Sequence, residues 1–368
     1  MQRARADPDG NGGKRTAQHG GTAPSVLLFR LLFPRSPVVP MKAVLVPEPG
    51  APDRMTLGEV PTPTPGPHEV RVRVHATALN RADTFQRRGY YPPPEGASDI
   101  LGLEMAGVVD AVGEGVVDWT PGDRVFSLLP GGGYAEQVVV HQDMLMALPP
   151  GLSMEEAAAI PEVFLTAYQS LHWLAGLHSD DRVLIHAGAS GVGTAALQLV
   201  RHAGATPYVT ASAPKHALCR TLGAAATIDY KTEDFAKRID TLTDGEGVDI
   251  ILDFIGAPYF HKNVDSLAID GRIVQLATLG GSTVDSVRLR DLMAKRIHLL
   301  TTTLRSRSRQ YKVSLTQEFA ADLLPAFVEG TLHPVIDSTF EWTDVVAAHE
   351  RMEANENAGK IVLRIVSI

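Results

Sequence analysis

Val183-Leu-Ile-His-Ala-Gly-Ala-Ser-Gly-Val-Gly-Thr-Ala-Ala196 runs from an apolar strand pattern through three glycines into an alanine-rich helix start. The spacing is Gly188-x-x-Gly191-x-Gly193, with Ser190 where the commoner Gly-x-Gly-x-x-Gly form has a glycine. Gly188 suits the tight turn, Gly191 lets backbone approach a pyrophosphate, and Gly193 lets the next helix pack on the strand. A helix from about Gly191 to His202 then aims its first N–H groups, Val192 among them, at the phosphates. Glycines at such a turn also serve a bare helix start, so the flanks decide. An apolar run precedes, a helical pattern follows, and Tyr208-Val-Thr210 supplies a second strand, which makes a βαβ unit.

Working outward, 368 residues exceed a single small core and imply two domains. A net charge of -8 argues against a general binder of nucleic acid or anionic membranes. No apolar run approaches the ~20 residues that span a bilayer. The lone cysteine, Cys219, lies in an apolar helical pattern and reads as core rather than as a reactive thiol. A soluble protein of a reducing, cytoplasmic compartment fits these features. Residues 1–40 are rich in Arg and Gly, then apolar, and read as a disordered or spurious extension; Met41 opens the first strand pattern.

Residues 41–165 read as short strands and turns, Val70-Arg-Val-Arg-Val74 alternating as a half-exposed strand should. From 166 to 309 strands and helices alternate, the cadence of a doubly wound parallel sheet. Residues 310–368 carry a helix over Thr316–Glu329, another over Val345–Asn355 and a final strand, and are expected to return to the first domain.

Several segments in this order resemble the medium-chain dehydrogenase/reductase superfamily, in its zinc-free quinone oxidoreductase branch. They include Ala78-Leu-Asn-Arg-Ala-Asp83, Gly102-Leu-Glu-Met-Ala-Gly107, Pro121-Gly-Asp-Arg-Val125, Ala157-Ala-Ala-Ile-Pro161 and Asn357-Ala-Gly-Lys-Ile-Val-Leu363. Pro92-Pro-Pro94 and Leu304-Arg-Ser-Arg307 are similar to the p53-inducible group of that branch. The resemblance implies an α/β chain: a β-rich GroES-like catalytic domain plus a doubly wound Rossmann cofactor domain. It also implies homodimers formed through edge strands, here near Ile297-His-Leu-Leu300.

Metal is not expected. One cysteine rules out a four-cysteine lobe. Zinc-dependent relatives place a histidine ligand in Gly-His-Glu, where this chain has Gly102-Leu103-Glu104. The nucleotide is expected to be NADPH. An acid normally follows the glycines by about twenty residues to hold the ribose 2′-OH. None occurs between Gly193 and Thr227, and Thr210-Ala-Ser212-Ala-Pro-Lys215 offers hydroxyls and a cation suited to a 2′-phosphate.

By resemblance, Tyr230, Ile255, Leu276, Asn357 and Lys360 also approach the nucleotide, and Ser190 donates to a phosphate. The resemblance further implies Tyr91 as donor to an acceptor oxygen, Asn80 as a positioning group, and Asp83 in the same cleft. Asn80 with Asp83 fits a helix cap equally well, and Tyr90 or Tyr91 fits a loop aromatic. Without a metal to polarise a carbonyl, quinones or conjugated enones are the fitting acceptors, and enoyl thioesters or a purely binding role remain open. Arg305, Arg307 and Arg309 form a basic run that suits a solvated loop or an anionic ligand.

Overall fold

The computed structural model describes residues 40–365, so the extension expected over 1–40 lies outside the described residues apart from Pro40. Along the chain come β1 (Pro40–Leu45), β2 (Thr56–Pro61), β3 (Glu69–Ala78), β4 (Glu104–Val112), β5 (Arg124–Leu128), β6 (Gln137–His141) and β7 (Leu145–Ala147). Next are β8 (Arg182–Ile185), β9 (Thr206–Ala211), β10 (Ala226–Asp229), β11 (Val248–Asp253), β12 (Leu267–Gln275) and β13 (His298–Thr301). Two late strands, β14 (Ile336–Glu341) and β15 (Lys360–Arg364), complete the set.

Strands β3–β7 with β14 and β15 form one seven-stranded sheet, in which β15 pairs antiparallel with β3. The chain end therefore joins the sheet of the first segment. Val70, Val72 and Val74 are fully buried while Arg71 and Arg73 point outward, so alternation sets the sheet face. The other large sheet is parallel, in the order β10-β9-β8-β11-β12-β13. In sequence rank that is 3-2-1-4-5-6, the doubly wound order, with its reversal between β8 and β11. Val183, Leu184 and Ile185 are all fully buried because helices cover both faces of such a sheet.

One apolar cluster runs through both sheets, including Phe164, Leu197 and Val362, and fixes the cleft between them. The long helix starts at Arg309 rather than near Thr316, because Ser308 Oγ caps it by accepting the Tyr311 N–H at 3.2 Å. Its polar first turn hides that start from a periodicity reading. Cys219 is buried and its thiol is pushed up to about 11 by desolvation. Among the described residues no helix is long and apolar enough to cross a membrane.

Candidate active site

Helix Gly191–His202 is capped by Ser190, whose Oγ accepts the Gly193 N–H at 3.1 Å and leaves the hydroxyl proton free to donate. The left-handed residue of the turn is Ala187, at φ 50°, so Gly188 is not the tight-turn residue expected of it. Gly188 is required by space: a Cβ there would lie 2.5 Å from Val209 Cβ. At Gly193 a Cβ would lie 2.3 Å from the Ala187 carbonyl oxygen, so helix and loop touch through bare backbone. At Gly191 it would meet Lys360 Cδ at 2.9 Å and Val163 Cγ1 at 3.0 Å. Val192 packs partly buried against the core behind these N–H groups. The Gly191 and Val192 amides remain open at this helix start and fit a pyrophosphate.

The other residues expected at the nucleotide follow one rim. Ser212 succeeds β9, Tyr230 succeeds β10, Ile255 lies just past β11 and Leu276 just past β12. In a parallel sheet those positions share the carboxyl edge, beside the reversal point where nucleotides bind. Tyr230 is exposed, while Ile255 and Leu276 are half-buried.

The C-terminal return reaches the same place. Gly359 donates to the Ala189 carbonyl at 2.9 Å, and Asn357 Nδ2 donates to the Gly359 carbonyl at 2.9 Å. Lys215 differs from the free point charge expected of it: its Nζ donates to the carbonyls of Asn355 and Asn357 at 2.8 and 2.7 Å. It ties that return loop to the end of β9, with one proton left to donate.

Thr210 also departs from expectation. Its hydroxyl is buried and lies 3.0 Å from His186 Nδ1, while His186 Nε2 meets Asn263 Oδ1 at 2.8 Å. Asn263 Nδ2 donates to Asp253 Oδ2 at 2.9 Å, and Asp253 Oδ1 accepts the N–H groups of Ile255 and Gly256. Burial lowers the His186 pKa. The ring is then neutral, donating from Nε2 and accepting from Thr210. This inner network holds the ends of β8, β9 and β11 together behind the rim. His186 sits inside the quoted motif, but nothing local names its partners.

On the acceptor side, Asn80 precedes helix Arg81–Arg87 and Asp83 closes the cap, its Oδ2 accepting the Asn80 N–H at 2.8 Å. Asp83 Oδ1 accepts the Gly102 N–H at 3.1 Å, and the residue is fully buried. Desolvation pushes its carboxyl up to about 6. With both oxygens held by backbone and no exposure, Asp83 is a positioning group, which corrects its expected place among the catalytic residues.

Asn80 extends the cluster. Its Nδ2 donates to Glu104 Oε1 at 2.8 Å and its Oδ1 accepts from Lys360 Nζ at 2.7 Å. Lys360 Nζ also donates to Glu104 Oε1 and the Leu79 carbonyl at 2.7 and 2.8 Å. Every ammonium proton of Lys360, a residue expected to approach the nucleotide, is therefore engaged by the chain itself beneath the glycine loop.

Of the two tyrosines, Tyr90 is 78% exposed and Tyr91 is half-buried. Arg305 lies over the Tyr91 ring at 5.2 Å and donates to Gln86 Oε1 at 2.7 Å and the Pro130 carbonyl at 2.9 Å. Burial raises the Tyr91 pKa, so the phenol keeps its proton. Glu162, which no sequence motif singles out, donates its N–H to Glu104 Oε2 at 2.8 Å. Desolvation and the neighbouring Glu104 push its carboxyl up to about 8, so it is mostly protonated at neutral pH.

Leu103 is buried apolar, Glu104 is neutralised by Lys360, and among the described residues no three His, Cys, Asp or Glu side chains converge.

Comparison with known proteins places the geometry in context. Residues 66–150 match the family model for the alcohol dehydrogenase GroES-like domain, and residues 222–363 match that for zinc-binding dehydrogenase. A 2-haloacrylate reductase from Burkholderia sp. is 33% identical over 327 residues, covering 87% of this chain and 98% of the relative. The crystal structure of a quinone oxidoreductase from Pseudomonas syringae superposes with TM-score 0.80 at 32% identity, over 88% of this chain and 100% of that one. The mycobacterial protein Rv1454c, solved with NADPH, superposes with TM-score 0.78 at 29% identity, over 88% and 100%.

Proposed function

This chain belongs to the medium-chain dehydrogenase/reductase superfamily, with a GroES-like domain and a Rossmann-type NAD(P)-binding domain, and on that premise we propose a zinc-independent, NADPH-dependent reductase of quinones and similar conjugated carbonyl compounds. We place it in the zinc-free quinone oxidoreductase branch, near the p53-inducible group. The observation that carries the reading is the buried Lys360–Glu104–Asn80 cluster. The carboxylate that a cation would want is already paired at 2.7 Å, and among the described residues no group of three or more His, Cys, Asp or Glu side chains is placed to hold a metal ion.

NADPH supplies a hydride when bound. The chain's own residues would hold and orient it: the open amides of Gly191 and Val192 with the Ser190 hydroxyl, itself fixed by the Gly193 N–H, would cradle the pyrophosphate, and Ser212 with the remaining Lys215 proton would meet the 2′-phosphate. Ile255 follows β11 at the reversal point and Leu276 follows the neighbouring β12, where they would line the nicotinamide half of the bound cofactor. Tyr91 donates a hydrogen bond to the acceptor oxygen as negative charge develops there, with the Arg305 guanidinium over its ring favouring that charge. Asn80 is locked by Lys360 and Glu104 and presents the cleft wall on which the acceptor lies.

Charge development without a Lewis acid requires an electrophile that already accepts hydride readily, which selects quinones and enones over simple ketones. An enoyl-type acceptor is the second reading, supported by the acrylate-reducing relative. We also place the protein in the cytoplasm as a homodimer joined through β13, an edge strand whose Leu299 is 52% exposed.

The deciding test follows NADPH oxidation by purified protein against 1,2- and 1,4-quinones, enones and enoyl thioesters. Saturable quinone turnover is expected. Turnover confined to enoyl thioesters would replace the first reading with the second, and tight NADPH binding with no turnover on the whole panel would leave a binding protein.

A further inference from the structure

Beside the cleft lies a cavity of about 620 Å³ with apolar walls that include Ile100, Leu129 and Val138. Arg305, Arg307, Arg309 and Lys312 line it too, the first two from the loop after β13 and the last two from the first turn of the long helix. In a chain of net charge -8 this is a local excess of cations.

Their partners are neutral. Arg305 is held by Gln86 Oε1 and the Pro130 carbonyl, Arg307 lies over the Tyr311 ring at 4.7 Å, and Lys312 Nζ donates to the Arg305 carbonyl at 2.8 Å. Among the described residues none of the four makes an ion pair within 4.0 Å. Two acids, Glu69 and Glu95, also line the cavity from distant segments, and Glu69 is engaged with the Gly66 N–H at 2.9 Å. Only Arg305 connects this cavity to the proposed chemistry, since it also covers Tyr91. Guanidinium groups without carboxylates, set in an apolar wall, match the oxygens of a carboxylate or phosphate.

We propose that this cavity binds an anionic head group, carboxylate or phosphate, of a conjugated acceptor whose reducible end reaches Tyr91. The natural substrates are then charged members of the acceptor class. This rests on the reductase reading above and narrows it.

The test compares kcat/KM for 1,4-naphthoquinone, a carboxylate-bearing naphthoquinone and crotonyl-CoA, at low and high salt. The proteins are wild type, the Arg307→Gln/Arg309→Gln double variant, and Arg305→Lys, which keeps the charge and removes the fork. The double variant is expected to lose about tenfold or more on a charged acceptor relative to the neutral one, as removal of charge-assisted hydrogen bonds dictates. Arg305→Lys is expected to lose the same selectivity in part, and wild-type selectivity is expected to fall with salt.

Whether the carboxylate or the thioester arm shows the effect tells a carboxylate head group from a phosphate one. Neutral-quinone turnover with equal losses on all acceptors, or no salt dependence, overturns the anion site and leaves the reductase reading intact. No turnover on any acceptor overturns both.

Discussion

Glu162→Gln replaces a half-buried carboxyl by a neutral group of the same shape, and its effect on stability depends on pH in a defined direction. In the folded protein this carboxyl is pushed from an ordinary 4.5 up to about 8 by desolvation and Glu104. The folded state therefore keeps the proton between those values while the unfolded chain releases it, so the wild type loses stability as pH rises through that window.

At about 1.4 kcal/mol per unit the full displacement is worth up to ~5 kcal/mol, and solvent contact reduces it to roughly 2 kcal/mol. The glutamine variant lacks this proton. It is expected to match the wild type near pH 5 and to exceed it by roughly 2 kcal/mol at pH 8.5, on the order of 3 °C in Tm. Asp83, pushed up to about 6, contributes with the same sign but is exhausted above that pH, and it is present in both proteins.

Thermal unfolding of both proteins in steps from pH 5 to 8.5 measures the difference. Parallel curves would refute the claim that Glu162 is held protonated by its surroundings.

Three further outcomes are expected. Lys360→Met leaves Glu104 buried without its cation, which costs about 3–5 kcal/mol; a chemical-denaturation midpoint within error of the wild type would contradict the cluster. Gly193→Ala places a Cβ 2.3 Å from the Ala187 oxygen, a backbone clash that costs about 1–3 kcal/mol or more and displaces the cradle amides; NADPH fluorescence titration should show binding abolished, and wild-type affinity would refute the close approach. Lys215→Ala is expected to raise the KM for NADPH about tenfold more than that for NADH, because it removes one charge-assisted hydrogen bond to the 2′-phosphate; an unchanged ratio would remove Lys215 from the 2′-phosphate site and leave it only as the tie to Asn355 and Asn357.

The parallel sheet was legible because its signals are local. Runs such as Val183–Ile185 are uniformly apolar, glycines follow them, and the helix boundary at Gly191–His202 agrees with the reading. The absence of an acid after the glycines is likewise a local fact, so the cofactor argument needed no coordinates. Ser212 could be named from its place after the second strand, whereas Tyr230, Ile255 and Leu276 came from the family resemblance; all four follow strands that share one edge of the parallel sheet. The start of the helix at Arg309 was not legible, since its first turn is polar and owes its existence to the Ser308 cap.

What the amino-acid sequence could not determine are the partners of its charges. Glu104 and Lys360 are 256 positions apart, and Gln86 and Arg305 are 219 apart. Asp83 reads as an acid in a cleft motif, yet burial and two backbone N–H groups make it structural. Thr210 and Lys215 read as free donors, yet His186 and the returning loop engage them. Periodicity and glycine placement are properties of neighbouring residues, so they survive in the sequence. The state of a buried charge depends on what the fold brings within ~3 Å of it, and only the tertiary structure decides that.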